Sequence, residues 1–176
     1  QRGIFYSIID EYSLFYLNWM ESRSKHQLSH DVNWDTIASS PAYHAWSGLA
    51  FEAICFKHIE NIKHALNIPK GSSVYTWCHQ NNGETDGAQI DLVFDRPDDT
   101  CTLCEIKYSK EPFIIDKKYA QLLIKRSEIY KKVSKTNKQI FHAMFTAHGL
   151  KPNMYSEELI SSCADLEALF TSKKSF

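Results

Sequence analysis

The chain has 176 residues, of which 43% are hydrophobic and 13% aromatic, and its formal net charge at pH 7 is −1. This length and composition predict one globular domain with a sizeable core and exclude a largely disordered chain. No apolar run approaches the roughly 20 residues that span a bilayer, so we expect no membrane segment. Five cysteines at irregular spacing are typical of a reduced, cytoplasmic protein and not of a disulfide scaffold.

The first 40 residues are predicted to form a helical leader. Between residues 4 and 20 a short apolar run precedes a segment whose aromatic side chains recur at spacings of three and four, as they do on one helix face. These aromatics are Tyr12, Phe15, Tyr16 and Trp19. Residues 21–40 are polar and lack a sustained period, which predicts a connection. Because the chain begins at Gln1 and not at Met, we expect it to be part of a longer protein.

Residues 41–176 are predicted to fold in the order helix, three strands, helix, strand. Ser40 and Pro41 form a typical helix start, and this helix should continue to about residue 66. We expect strands at 73–80, 88–95, 102–108 and 139–146, a basic amphipathic helix at 116–133 and a short element at 166–170. This order predicts an α/β sandwich around a central mixed sheet.

Two acidic residues are predicted to meet across neighbouring strands. Because strand side chains alternate between faces, Gln89 and Asp91 share one face of the second strand, and Glu105 lies on the corresponding face of the third. A hairpin folded about Asp98 sets Asp91 opposite Glu105, with Cβ atoms about 5 Å apart. Such carboxylates repel each other unless a cation lies between them, and Mg²⁺ or Mn²⁺ prefers oxygen ligands of this kind.

Lys107 shares the face of Glu105 and adds a compact positive charge to the acidic pair. Its ammonium group could orient a water molecule or stabilise a pentavalent phosphate. The set then has the parts for metal-assisted phosphodiester hydrolysis. The alternative is the polar outer face of an ordinary hairpin, with Glu105 and Lys107 merely solvated, because the pattern D-x(n)-E-x-K is short and common.

Glu52 is a third candidate carboxylate, on the helix that precedes the strands. Leu49, Phe56 and Ile59 lie on the same helix face, so its neighbours there are apolar. A carboxylate buried among apolar side chains needs a partner. A metal site is one explanation, and a structural salt bridge to a lysine is the other.

Half of the basic residues lie in one segment after the acidic pair. Between Lys107 and Lys138 there are ten Lys or Arg and only three Asp or Glu. Taken one by one, these residues are typical of a solvated helix face and a charged loop. As a group they could form a phosphate-facing patch, which favours a nucleic-acid partner.

Three segments in combination resemble a known family. They are Trp46-x-Gly48-x-x-Phe51-Glu52, Gly87-Ala88-Gln89-Ile90-Asp91-Leu92 and Cys104-Glu105-Ile106-Lys107-Tyr108-Ser109. The chain resembles the PD-(D/E)XK restriction-endonuclease-like superfamily and, more narrowly, the uncharacterised C-terminal domain of archaeal and bacterial AAA+/STAND-like ATPases. Residues 6–16 and the ending Thr146-x-x-Gly149-Leu150-Lys151-x-Asn153 fit as well, so the resemblance covers essentially the whole chain. The first acid follows Gln-Ile instead of the proline in the family's name.

The resemblance implies a DNA-cleaving domain of restriction-endonuclease-like α/β/α fold that uses Mg²⁺ or Mn²⁺. The implied site has Asp91, Glu105, Lys107 and Glu52 as catalytic residues, Asp91, Glu105 and Glu52 as metal ligands, and Gln89, Gln121 and Lys125 as substrate-binding residues.

The family context also implies a domain organisation. Residues 1–40 would join a winged helix and ATPase region outside this sequence to a nuclease-like domain at 41–176. No Walker-type G-x-x-x-x-G-K-[ST] motif occurs here, so any ATPase activity would belong to that other region. The alternative is a catalytically silent module of the same fold that recognises DNA, preferred over RNA, or a protein partner and regulates the attached ATPase.

Overall fold

A computed structural model describes residues 10–21 and 34–170 of the chain. The chain forms two compact units, Gln1–Ala53 and Ile54–Phe176. The predicted apolar run at 4–9 and most of the predicted connection, residues 22–33, lie outside the described residues. The division at residue 40 into a leader and a nuclease-like domain stays a prediction.

The described part of the N-terminal unit is helical, as the sequence predicts. Helix α1, Glu11–Phe15, is capped by Asp10 and continues as a π-helical segment, Tyr16–Met20. Helix α2, Trp34–Ala38, lies within the stretch that was predicted to be a connection, so that part of the prediction is wrong. Helix α3, Pro41–Lys57, follows in the chain.

Aromatic rings pack together within the N-terminal unit. The ring centroids of Phe15 and Trp19 lie 5.8 and 6.1 Å from that of Trp46. Tyr43 lies 5.5 Å from Trp46, and Trp34 lies 5.7 Å from Phe15. Aromatic pairs in this distance range stabilise one another beyond the area they bury. The predicted packing of one aromatic helix face is therefore confirmed for Phe15 and Trp19.

The single long helix predicted from residue 41 to 66 is in fact two helices. Ser40 accepts a hydrogen bond from the Tyr43 N–H at 3.2 Å, which confirms the predicted N-cap. The break comes at His58, whose φ and ψ of −113° and 31° are not helical, and α4 then spans Ile59–Ala65. No Gly or Pro marks this position, so the hydrophobic pattern alone predicted one continuous helix.

The second unit is built on a five-stranded mixed sheet with the order β1-β2-β3-β4-β5. The strands are β1 Ser73–His79, β2 Ala88–Asp95, β3 Thr100–Lys107, β4 Gln139–Thr146 and β5 Ile160–Asp165. The pairs β1–β2 and β2–β3 are antiparallel, whereas β3–β4 and β4–β5 are parallel. The predicted α/β sandwich with a central mixed sheet is confirmed.

Strand β2 pairs with β3 in the register that the sequence predicts. Leu92 lies opposite Cys104 and Val93 opposite Leu103. Continued by one residue, this register sets Asp91 opposite Glu105. The turn includes an aspartate at a positive φ of 59°, Asp99, which is one of the few non-glycine residue types that adopt this conformation readily.

Helices cover the sheet and connect its parallel strands. Helix α5, Lys117–Ser134, links β3 to β4 and buries Tyr130 against Val93 and Leu103 on one face of the sheet. On the opposite face, the buried Cys104 lies near Cys55 at the end of α3, and α4 contacts β5. The sheet therefore lies between helical layers, and α5 is the layer above the Asp91–Glu105 pair.

The sequence pattern missed one helix and one strand near the C-terminus. Helix α6, Met154–Leu159, starts at a reciprocal capping box between Asn153 and Ser156. Strand β5 follows it directly, and its sequence, ISSCAD, carries little of the apolar alternation that marks a strand. The last predicted element is a single 3₁₀ turn, Leu166–Leu169.

No helix within residues 10–21 and 34–170 is long and apolar enough to cross a membrane. All five cysteines lie in the described part of the chain, and all of them are free thiols.

Candidate active site

Asp91 is buried at the end of the β2–β3 ladder, where the two strands stop pairing. Its side chain is 9% exposed, and its Oδ2 atom accepts the backbone N–H of Ile106 at 2.9 Å. The ladder ends at Leu92 and Cys104, so this carboxylate takes the place of a backbone acceptor for β3. Asp91 is therefore fixed in position by the strand that carries Glu105.

Glu105 is 4% exposed, and its carboxylate is held by three side chains. Arg126 Nη1 donates to Glu105 Oε2 at 2.6 Å, and the Tyr119 hydroxyl donates to the same oxygen at 3.4 Å. Lys107 Nζ lies 3.7 Å from it. The alternative of a solvated outer hairpin face is wrong for Glu105, because this residue lies beneath α5.

The electrostatics of the pair reflect its burial. Burial, and then the charge of Asp91, raise the pKa of the Glu105 carboxyl, while Arg126 and Lys107 oppose the shift. Burial and the Glu105 charge raise the pKa of Tyr119, so its hydroxyl keeps its proton and remains a donor. Two carboxylates and two cations balance in formal charge, at the cost of taking the two carboxylates out of water.

Lys107 lies at the boundary between this buried group and solvent. Its side chain is 32% exposed, compared with 5% for that of Glu105. Its ammonium nitrogen is 6.0 Å from the centre of the Tyr119 ring, a distance at which a cation is attracted to the ring face. A charged amine in this place can reach a molecule in solvent while remaining tied to Glu105.

Asp91 and Glu105 offer donor atoms that fit a small divalent cation. Asp91 Oδ1 and Glu105 Oε1 accept no hydrogen bond from any residue within 10–21 or 34–170. Mg²⁺ and Mn²⁺ are commonly bound by one or two carboxylates, with water and phosphate oxygens as the other ligands. No group of three His, Cys, Asp or Glu side chains suited to a metal occurs within the same ranges. Asp91 and Glu105 are the residues that could hold such a cation, with water or phosphate oxygens as its other ligands.

The predicted substrate-binding residues line two clefts that flank α5. Gln89 and Lys125 line a cleft of about 360 Å³ between β2 and α5, together with Arg126. Gln121 and Lys125 line a larger groove of about 540 Å³, whose wall includes Tyr119. Arg126 and Tyr119 both contact Glu105, so each cleft shares one residue with the surroundings of the acidic pair.

Lys125 itself is held by a carboxylate outside the candidate site. Its Nζ atom lies 2.5 Å from Asp86 Oδ2, and both side chains are more than half exposed. The Lys125 hydrogen bond and charge lower the pKa of Asp86. Exposed pairs of this kind are weak, so Lys125 remains available to an anion in the cleft.

Glu52 lies on α3 in the N-terminal unit and is half-buried beside Phe51, which is 4% exposed. Two of the residues that were expected to bury it do not: Leu49 is 69% exposed and Phe56 is 37% exposed. The argument from a carboxylate surrounded by apolar side chains is therefore wrong in part. The role of Glu52 as a third metal ligand stays a prediction.

Sequence reasoning missed Arg126 and undervalued Tyr119. The two residues are seven positions apart on α5, which is two helical turns, so they share the helix face that covers the sheet. The basic segment was counted as a whole, which hid the one arginine on this buried face. The signal that could have found it was the heptad spacing from Tyr119, an aromatic residue on the same helix.

No family model matches the chain, and no curated protein matches it. Among solved structures, the chain is similar to the crystal structure of a protein of unknown function, AF1548. The two are 18% identical, the TM-score is 0.45, and the match covers 64% of this chain and 64% of that chain. At these values the likeness bears on neither the fold nor the site.

Proposed function

We propose that this chain is a PD-(D/E)XK-type nuclease domain that binds DNA and hydrolyses phosphodiester bonds with Mg²⁺ or Mn²⁺. The observation that carries the proposal is the buried pair Asp91 and Glu105, one residue beyond the end of the β2–β3 ladder, with Lys107 at its solvent edge. Burying carboxylates together is costly. Clusters of this kind are found more often at functional sites than elsewhere, because function requires perturbed charges.

Each residue has a role that its position allows. Asp91 and Glu105 would hold the cation, which would act as a Lewis acid on the phosphoryl oxygens. Lys107 would orient the attacking water or stabilise the negative charge that develops on phosphorus. Gln89, Gln121 and Lys125 would bind the nucleotides that flank the bond to be cut.

The basic helix α5 supports nucleic acid as the substrate, and we propose DNA in preference to RNA. Its exposed lysines would contact phosphates without reading sequence. They are Lys117, Lys118, Lys125, Lys131 and Lys132. The family resemblance adds an ATPase module of the same protein as a partner, and the irregular cysteine spacing favours the cytoplasm as the location.

The test is a cleavage assay on the 176-residue chain with supercoiled plasmid, with and without Mg²⁺ or Mn²⁺. Asp91→Asn is preferred to alanine, because an amide oxygen can still accept the Ile106 N–H. We expect Asp91→Asn and Lys107→Met to lose cleavage, and Glu128→Gln, on the exposed surface of α5, to keep it. No metal-dependent cleavage by the wild-type chain, or equal cleavage by all variants, would overturn the proposal.

A catalytically silent module for DNA or partner recognition is a second candidate. It is favoured by the ion pair of Glu105 with Arg126 at 2.6 Å, which satisfies the carboxylate without a metal. This candidate predicts salt-sensitive binding to a DNA duplex without cleavage, measured by fluorescence anisotropy. Lys117→Glu with Lys118→Glu should weaken that binding, whereas Asp91→Asn should leave it unchanged. A lack of DNA affinity at any salt concentration, unchanged by the lysine reversals, would leave a protein partner as the ligand.

A further inference from the structure

We infer that Arg126 is a phosphate-contacting residue that pairs with Glu105 only while no cation is bound, and that it turns to the phosphodiester when a divalent cation binds Asp91 and Glu105. The inference rests on the proposed function and adds a residue that neither the sequence pattern nor the family resemblance assigns. It also makes binding of the cation and binding of the phosphate depend on each other.

The position of Arg126 allows both contacts. Its Nη1 atom is 2.6 Å from Glu105 Oε2, and the same side chain lines the cleft with Gln89 and Lys125. The side chain is 26% exposed, compared with 5% for Glu105. The side chain therefore contacts a buried carboxylate and also lines an open cleft, so a change of rotamer could exchange its partner.

Charge supplies the reason for the exchange. The formal charges of Asp91, Glu105, Lys107 and Arg126 sum to zero in the structure. A divalent cation on the two carboxylates raises the sum to two positive charges, and Arg126 then lies beside a cation that repels it. A phosphodiester brings negative charge and offers oxygens that a guanidinium binds in a planar, two-pronged geometry.

The two binding events should therefore be cooperative. With a cation on the two carboxylates, Arg126 would be free to contact the phosphate, and a bound phosphate would keep Arg126 from returning to Glu105. Linkage requires each ligand to raise the affinity of the other by the same factor, and typical coupling of this kind is about 5- to 150-fold. Lys125 gives a matched control, because it lines the same cleft but pairs with Asp86 and not with Glu105.

The first measurement is the affinity for Mn²⁺ alone, by titration calorimetry at pH 8 with the 176-residue chain. Arg126 competes with the cation for Glu105, so Arg126→Met should bind Mn²⁺ about tenfold more tightly than the wild type, the scale of a lost charge-assisted hydrogen bond. Lys125→Met should bind it as the wild type does. A purely structural role for Arg126 predicts the opposite, a weaker site in Arg126→Met.

The second measurement is the affinity for a 20-base-pair DNA duplex, by anisotropy with and without Ca²⁺, which also takes carboxylate oxygens. Ca²⁺ should tighten DNA binding of the wild type at least about fivefold, the lower end of typical coupling. In Arg126→Met the gain should be smaller, because only the direct contact of the cation with the phosphate remains, and in Arg126→Lys the lost part should return in part. Lys125→Met should bind DNA more weakly but keep the Ca²⁺ gain.

The outcomes separate the inference from the proposed function. If the wild type binds no Mn²⁺, both are overturned. If it binds Mn²⁺ and cuts DNA, but Arg126→Met has unchanged Mn²⁺ affinity and an unchanged Ca²⁺ gain, the inference alone fails. Should Arg126→Met not fold, Arg126→Lys decides, since a shorter and singly hydrogen-bonding cation must weaken both the competition and the coupling.

Discussion

The two ends of the β2–β3 hairpin hold similar charges in different surroundings. At the turn, Arg96 donates to Asp98 at 2.5 Å, and the two side chains are 21% and 43% exposed. At the other end, Arg126 donates to Glu105 at 2.6 Å, and the Glu105 side chain is 5% exposed. The distances are nearly equal and the two arginines are similarly exposed, at 21% and 26%, so the difference between the ends is the burial of the carboxylate.

Burial changes what an ion pair contributes. An exposed pair gains little, because water screens the attraction and two long side chains lose freedom. A buried pair carries a large desolvation cost, and well-packed apolar residues in its place are often as stable or more so. A hairpin selected only for stability does not need charges at its buried end. Their presence there favours a role in binding or chemistry. The exposed Arg96–Asp98 pair at the turn shows what an ion pair without such a role contributes in the same hairpin.

Removing Arg126 should have the largest effect, because it leaves Glu105 buried without its nearest cation. We expect Arg126→Met to lower the free energy of unfolding at pH 8 by about 3 kcal/mol, the lower end of the range for a broken buried pair. The lower end applies because Arg126 itself is about a quarter exposed. Urea unfolding followed by tryptophan fluorescence measures the change.

Two variants of α5 serve as controls for this measurement. Arg126→Lys keeps a positive charge and should recover part of the loss. Lys125→Met removes a neighbouring charge whose partner, Asp86, is exposed, and it should leave the urea midpoint nearly unchanged. A midpoint for Arg126→Met equal to that of Lys125→Met would show that Glu105 does not depend on Arg126.

Asp91 should matter next, through a hydrogen bond and not through an ion pair. Asp91→Ala leaves the Ile106 N–H buried without an acceptor, which should cost about 2 kcal/mol of unfolding free energy. Asp91→Asn keeps an acceptor oxygen and removes a negative charge next to Glu105, so it should lose much less. Chemical denaturation of both proteins tests this, and equal losses would mean that the carboxylate charge, not the hydrogen bond, holds the end of β3.

How far the sequence predicts this fold depends on how regular each element is. Strand β2 and the register of Asp91 with Glu105 follow from strict alternation about a short turn. Strand β5 lacks such a pattern and forms against β4, a partner that only the folded chain brings near. Helix α6 is short, and its sequence signal is the local capping box at Asn153. The break at His58 was missed because no Gly or Pro marks it.

The residues of the candidate site also differ in how far the sequence predicts them. Asp91, Glu105 and Lys107 could be placed from local spacing, because they lie on two adjacent strands. Arg126 could not, because its contact with Glu105 spans 21 residues and depends on how α5 lies on the sheet. For Glu52 the helix pattern predicted burial that is only partial, since a helical row of apolar residues does not say what packs against it.

The pH dependence of stability should separate Glu105 from the acids at the turn. The pKa of Glu105 is raised in the folded chain from 4.5, so the folded state binds this proton more tightly than the unfolded state. That contribution to stability is complete below pH 4.5 and is lost as the pH rises through the higher folded pKa. The Glu105→Gln variant lacks this pH-dependent contribution, because its amide does not titrate.

The quantity to measure is the unfolding free energy of the wild type minus that of Glu105→Gln. We expect the difference to fall as the pH rises above 4.5 and then to level off. Its slope should be no steeper than about 1.4 kcal/mol per pH unit, the limit for one proton. The acids at the turn titrate equally in both proteins and cancel. A difference that rises with pH would mean that Arg126 and Lys107 outweigh burial.

A substitution at the turn should have the smallest effect on stability of the changes at the two ends of the hairpin. Asp98 accepts from Arg96 and from the Thr100 hydroxyl at 2.7 Å, and these hydrogen bonds lower the pKa of its carboxyl. Both contacts are exposed, so water can replace them, and Asp98→Ala should shift the urea midpoint only slightly. High salt should remove most of even that shift, whereas the larger loss in Arg126→Met should persist because salt screens a buried charge poorly. If Asp98→Ala proves as damaging as Arg126→Met, burial does not distinguish the two ends of the hairpin, and the case for a functional charge cluster at the buried end loses its basis.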